Sequence, residues 1–108
     1  MKPIPALIAV AVLAAAGAAA AQSASVLEIT RASWGYAGER KDVKADLGKQ
    51  CDGKAACKFM VDSNSLSSTE PKDPSPEHRK GLIIAWKCGA TDFRDQFPEG
   101  KPAELKCP

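Results

Sequence analysis

Four cysteines, Cys51, Cys57, Cys88 and Cys107, constrain this chain more than any other feature, because all four lie beyond a leader of the kind that directs export. Lys2 precedes an apolar run from Ile4 to about Ala16, and the small residues Gly17 to Ala21 follow ahead of Gln22. That order reads as a secretory signal peptide over residues 1–21, with an A-x-A-like cleavage site at its end. The apolar stretch is short for a membrane span and largely alanine, so an uncleaved anchor is the weaker reading. Thiols oxidise outside the cytoplasm, and two disulfides are the expected state, in a secreted or periplasmic protein. Four cysteines permit three pairings, and spacing alone leaves the choice open. A structural zinc site would show two close cysteine knuckles, which Cys51-x5-Cys57 and two distant single cysteines do not supply.

Residues 22–108 are enough for one domain and too few for two. A core this small benefits from cross-links, each worth about 3 kcal/mol for a closed loop of roughly 15 to 20 residues in the chain-entropy model. The chain carries 15 basic and 13 acidic side chains, a net charge of +2 that falls by one when the segment bearing Lys2 is removed. That balance gives no reason to invoke nucleic acid, or an anionic membrane after leader cleavage.

Along the rest of the chain, Leu27 and Ile29 alternate with Glu28 and Thr30, as in a half-buried strand over 26–32. Ser33 to Gly38, with two glycines and two aromatics, reads as a turn or loop. Asp42 is placed to cap a short amphipathic helix from Val43 to about Gln50, with Val43, Leu47 and Cys51 recurring on one face. Asp52-Gly53 is a turn, and 56–61 reads as a strand with Cys57, Phe59 and Val61 on one side. Asp62 to Lys80 holds five serines, three prolines and unpatterned charge, a long surface loop of the kind that is often functional. Leu82 to Cys88 is the most apolar strand and the expected centre of the sheet. Gly89 to Pro102 reads as an irregular connection carrying Phe93 and Phe97, and 103–107 alternates as a final strand. The fold class expected is α+β: a small antiparallel β-sheet with one helix, stabilised by disulfides.

The stretch Asp73-Pro-Ser-Pro-Glu-His-Arg-Lys-Gly-Leu-Ile-Ile-Ala-Trp-Lys-Cys88 resembles the signature of the galactose/rhamnose-binding lectin domain of the sea-urchin-egg-lectin type, Asp-Pro-Cys-x-Gly-x-x-Lys-Tyr-Leu-x-Val-x-Tyr-x-Cys. Asp73, Pro74, Lys80, Leu82, Ile84, Trp86 and Cys88 fall in register without a gap. Asp42 to Cys57 is similar to the family's helix and its Cys-Asn/Asp-Gly turn, and Ile29 to Gly35 to its Ile-x-x-Ala-x-Tyr-Gly. The family's opening strand, Cys-Glu-Gly-x-x-x-x-Leu-x-Cys, does not precede Val26. Glu99-Gly-Lys-Pro-Ala-Glu-Leu-Lys-Cys107 resembles it instead, which implies a circular permutation with the first strand moved to the C-terminus, a change compact domains tolerate.

The resemblance implies a lectin-like fold and the pairings Cys51 to Cys57 and Cys88 to Cys107; Ser75 stands where one cysteine of an absent pair would be. It also implies a carbohydrate site in which Glu99 and Lys80 converge with the loop around Asp73, Glu99 accepting from sugar hydroxyls and Lys80 donating. Three positions depart from the family: Glu77 replaces a glycine near the ligand, Tyr36 an arginine, and Gly81 a tyrosine.

Trp34 and Tyr36 offer a stacking platform for a sugar ring, the alternative being that they pack inside. Trp86 reads as core, and His78, the single histidine, as a solvated member of a charged loop. No nucleophile elbow or free thiol accompanies it, and so short a chain offers little wall for a catalytic cleft, so the chain is not read as an enzyme. No metal or cofactor is inferred; Asp62-Ser-Asn64 lacks the glycine and terminal glutamate of a calcium loop. The expected partner is a glycan or glycoconjugate. The competing reading is a secreted protein-binding or structural module on the same scaffold.

Overall fold

The computed structural model describes residues 25–108; the signal peptide read over residues 1–21 lies outside the described residues. Strand β1 (Leu27–Tyr36) pairs on one side with the short β2 (Glu39–Asp42) and on the other with β4 (Gly81–Cys88), and β4 pairs with β5 (Thr91–Pro98), giving an antiparallel sheet of order β2-β1-β4-β5. Helix α1 (Lys44–Cys51) follows β2; β3 (Ala56–Met60), the four-residue helix α2 (Ser63–Leu66) and β6 (Pro102–Lys106) complete the element order, with β3 and β6 forming a second, two-stranded sheet. The observed class is a β-rich α+β arrangement with two disulfides.

A bulge decides how β1 folds. Leu27 and Ile29 face the core at odd positions, whereas Ala32 and Trp34 face it at even ones. The period of a strand is two, so a one-residue register shift must intervene to keep both pairs on one face, and the pairing with β4 shifts between Ile29 and Arg31. That shift hides the strand from an alternation reading. The segment expected as a loop at Ser33 to Gly38 is therefore the second half of β1 as far as Tyr36, followed by a tight turn into β2.

Helix α1 buries Val43, Leu47 and Cys51 against β1, as their spacing requires. Its first turn starts one residue later than expected: Val43 is the cap, without a side-chain bond, and Asp42 Oδ1 accepts from the Lys44 N–H at 2.8 Å. Beyond the helix, Asp52 Oδ1 accepts from the Ile29 N–H at 2.7 Å and so fastens the helix end to the bulged part of β1.

The second half corrects the sequence reading at β5. Gly89 to Pro102 is not an irregular connection: Thr91–Pro98 forms a hairpin with β4, closing on Cys88 and Thr91. As an edge strand it buries little, and Asp95 shares the inward side with the half-buried Phe93 and Phe97, which breaks the apolar alternation. β4 is interior, with Leu82, Ile84, Trp86 and Cys88 facing the core; Trp86 stacks on Phe93 with ring centroids 5.7 Å apart.

Both pairings implied by the resemblance are present, Cys51–Cys57 and Cys88–Cys107. The first ties the end of α1 to β3, and the second joins the two sheets. Cys88 also lies opposite Leu27 in register, so both ends of the described chain meet at one end of β4.

The loop between β3 and β4 is long but well anchored. Asp62 caps α2 by accepting from the Ser65 N–H at 2.7 Å, and Leu66 is fully buried. The Lys41 ammonium then binds Ser67 Oγ and the carbonyls of Thr69 and Pro71, holding the middle of the loop against β2.

Candidate functional site

The remainder of that loop, residues 73–80, closes over one end of the four-stranded sheet, where β1 ends and β4 begins. Ser75 is its anchor. Wholly buried, it accepts from the Tyr36 N–H at 3.1 Å and donates to the Glu39 carbonyl at 2.6 Å, stitching the loop to the β1–β2 hairpin. Its own N–H donates to Asp73 Oδ1 at 2.9 Å. That bond, aided by the Lys80 ammonium, holds the Asp73 carboxyl below its ordinary value.

Lys80 is the hub. Its side chain is only 5% exposed, and Nζ lies 2.7 Å from the His78 carbonyl, 3.3 Å from the Ser75 carbonyl, 3.2 Å from Asp73 Oδ2 and 3.6 Å from Glu99 Oε1. Glu99 arrives from the connection between β5 and β6 and is held at its backbone as well: its N–H donates to the Lys80 carbonyl at 3.0 Å, while the Lys80 N–H donates to Glu99 Oε1 at 2.9 Å. Arg79 Nη2 donates to the Glu99 carbonyl at 3.1 Å. A buried ammonium needs this company, because an unpaired charge in a desolvated position is costly.

Glu99, Lys80 and Asp73 are thus brought together from two separate segments. The roles within the group differ from the expectation. An ammonium has three hydrogens, and Lys80 already has four oxygens around it, so it acts as a post that orients the two partly exposed carboxylates rather than as a free donor.

The aromatic pair separates. Trp34 is fully buried and donates from Nε1 to Ser63 Oγ at 3.0 Å, so it is a core residue and offers no face to a ligand. Tyr36, two residues on and so on the same side of the strand, lies at its end and is 45% exposed. Its ring stacks on His78 at 4.4 Å with planes 1° apart. His78, read from the sequence as a solvated loop residue, is therefore part of the site; nothing in the sequence pairs it with a tyrosine 42 positions earlier. Glu77, the residue before His78, has φ 69°, a left-handed conformation that glycine takes freely and glutamate only when its surroundings impose it.

Beside this group, at the same end of the sheet, is an open depression of about 490 Å³. Tyr36, Arg79 and Pro98 stand around it with Ile83 of β4 and Gln96 of β5, and Gly35 and Gly81 also line it. So does Arg40, which donates from Nε to Ser33 Oγ and from its two terminal nitrogens to the carbonyls of Ser33, Gly35 and Gly81.

The Ser75 hydroxyl is buried and committed to backbone partners. The arrangement instead combines carboxylates at fixed positions, an exposed aromatic face and a shallow concavity, which together can bind a polyhydroxylated ligand. Compared with protein-family models, with curated proteins and with solved structures, the chain matches none.

Proposed function

We propose that the protein is an exported, non-catalytic carbohydrate-binding module of the galactose/rhamnose lectin type, with its first strand permuted to the C-terminus. The observation that carries this reading is the convergence of Glu99 and Asp73 on the buried Lys80, beside the exposed Tyr36–His78 stack. Carboxylate oxygens fixed in this way accept from neighbouring hydroxyls, and an aromatic face covers the apolar side of a pyranose ring. Lys80 serves by holding the acceptors rigid, which lowers the ordering cost of binding.

Two further features support the family resemblance. The position where the resemblance places a cysteine is filled by Ser75, whose three hydrogen bonds pin the same loop that a disulfide would. The position where it places a glycine is Glu77, whose positive φ is the conformation a glycine would supply. Permutation also fits the meeting of Leu27 and Cys107, near the two ends of the described residues, at Cys88. The two disulfides fit an oxidising compartment, secreted or periplasmic.

A glycan array probed with the oxidised mature protein, displayed multivalently to offset a weak single site, tests the reading. Binding to a defined glycan, reduced in Glu99→Gln and in Tyr36→Ala, is expected. A blank array from folded protein would overturn it and favour a protein-binding module on the same scaffold.

A further inference from the structure

Resting on the carbohydrate reading, we infer that the depression over Gly35 and Gly81 is a second subsite, and that it takes an anionic substituent, a carboxylate or a sulfate, on the saccharide. Three observations lead there. The depression is lined by three cationic side chains, Arg40, Arg79 and Lys80, and by no carboxylate among the described residues. Its volume of about 490 Å³ lies within the range of small-ligand pockets. It also shares Tyr36 and Lys80 with the carboxylate cluster, so one saccharide chain can occupy both.

Arg40 makes the argument specific. Its guanidinium is half-buried and donates to four neutral oxygens, and the ion pairs among the described residues are those of Lys80 alone. The guanidinium is therefore fixed in place without a counter-charge, and one N–H of Nη1 is uncommitted. Arg79 likewise meets a carbonyl and no carboxylate. By contrast the third cation, Lys80, is already compensated by Asp73 and Glu99. The uncompensated positive charge of this concavity is thus concentrated at two guanidinium groups, whose paired N–H donors bind two oxygens of one oxyanion. A second, smaller depression that Arg40 also lines continues the pattern with Arg31, Lys41 and Lys44 set against the single acid Asp42.

The test compares tetragalacturonate with its fully methyl-esterified form, which has the same sugars and no charge, and with a sulfated galactose tetramer, by calorimetry on the oxidised mature protein. The expected result is binding of the acid at least about tenfold tighter than the ester, the strength of one or two charge-assisted hydrogen bonds. That advantage should shrink with added salt and be lost in Arg79→Gln, and the sulfated tetramer shows which anion is preferred. Because Arg40 ties β1 to β4, Arg40→Gln can unfold the sheet, so its involvement is read instead from the Nε–H resonance of Arg40 in the wild type, which should move with the acid and stay with the ester. Equal binding of acid and ester, tighter binding of the ester, or an acid preference undiminished in Arg79→Gln would each overturn this inference while leaving the carbohydrate reading intact. Binding of none of the three would also overturn this inference, and the glycan array then separates it from failure of the carbohydrate reading.

Discussion

Lys80 and Glu99 hold each other at three points: the backbone N–H of Lys80 donates to Glu99 Oε1 at 2.9 Å, the Glu99 N–H returns to the Lys80 carbonyl at 3.0 Å, and the buried ammonium lies 3.6 Å from the same carboxylate oxygen. The pair joins the start of β4 to the β5–β6 connection, and through Asp73 it also closes the long loop. Replacing Lys80 with methionine keeps the stem packed but removes the counter-charge of two carboxylates and the donor to two carbonyls. A loss of about 2–4 kcal/mol is expected, measured as a lower urea midpoint with faster amide exchange across residues 73–78. An unchanged midpoint would show that the cluster contributes nothing to folding.

Near its turn into β2, strand β1 tolerates no side chain at Gly35. A Cβ there would lie 2.2 Å from the Glu39 carbonyl oxygen and 2.7 Å from Arg40 Cα, both backbone atoms that cannot step aside. Gly35→Ala should cost about 2–3 kcal/mol, at the upper end for overpacking. Loss of the Tyr36 and Ser75 amide positions in an NMR spectrum would locate the damage.

The two disulfides should differ in worth. Cys88–Cys107 closes a loop with a sequence separation of 19 and Cys51–Cys57 one of 6, which the chain-entropy relation converts to about 3 and about 2 kcal/mol. Paired alanine variants, unfolded side by side in denaturant, should rank in that order. The reverse ranking would mean that the native strain or the packing of Cys51 outweighs loop entropy.

Acid should weaken the fold through two aspartates. Ser68 lowers the Asp46 carboxyl through its hydroxyl and then its N–H, and the Ser75 N–H lowers Asp73. A carboxyl with a folded value below its unfolded one contributes stability that is full above the unfolded value and disappears as pH falls through the folded one. Stability should therefore be insensitive to these groups near neutrality and fall below the ordinary aspartate value of 3.8. Asp46→Asn with Asp73→Asn should flatten that acid limb, as followed by denaturant unfolding at a series of pH values. An acid limb unchanged in the double variant would contradict the assignment.

What could be read from the sequence follows from which physical signals are local. The four-residue recurrence of Val43, Leu47 and Cys51 marked the buried face of α1, and the apolar run at 82–88 marked an interior strand, because each pattern reflects one element against one core. The end of β1 is hidden because a bulge reverses the parity of its inward residues, and β5 because an edge strand with Asp95 on its inner side carries no apolar period. At the site, the family pattern groups Glu99, Lys80 and Asp73, which meet at the Lys80 ammonium. That Lys80 is buried, that Trp34 lies in the core and that Tyr36 takes His78 as its partner depend on where the loop folds back. No pairwise spacing in the chain encodes that return.

The central claim is that the Tyr36 end of the sheet binds a sugar, and the most direct measurement is a ¹⁵N chemical-shift titration of the oxidised mature protein with galactose and with rhamnose, carried far enough to detect millimolar binding. The account predicts saturable shifts confined to Tyr36, to residues 73–80 and to the segment around Glu99, abolished by Glu99→Gln. Absence of shifts with both sugars, or shifts confined to β3 and β6, would contradict it.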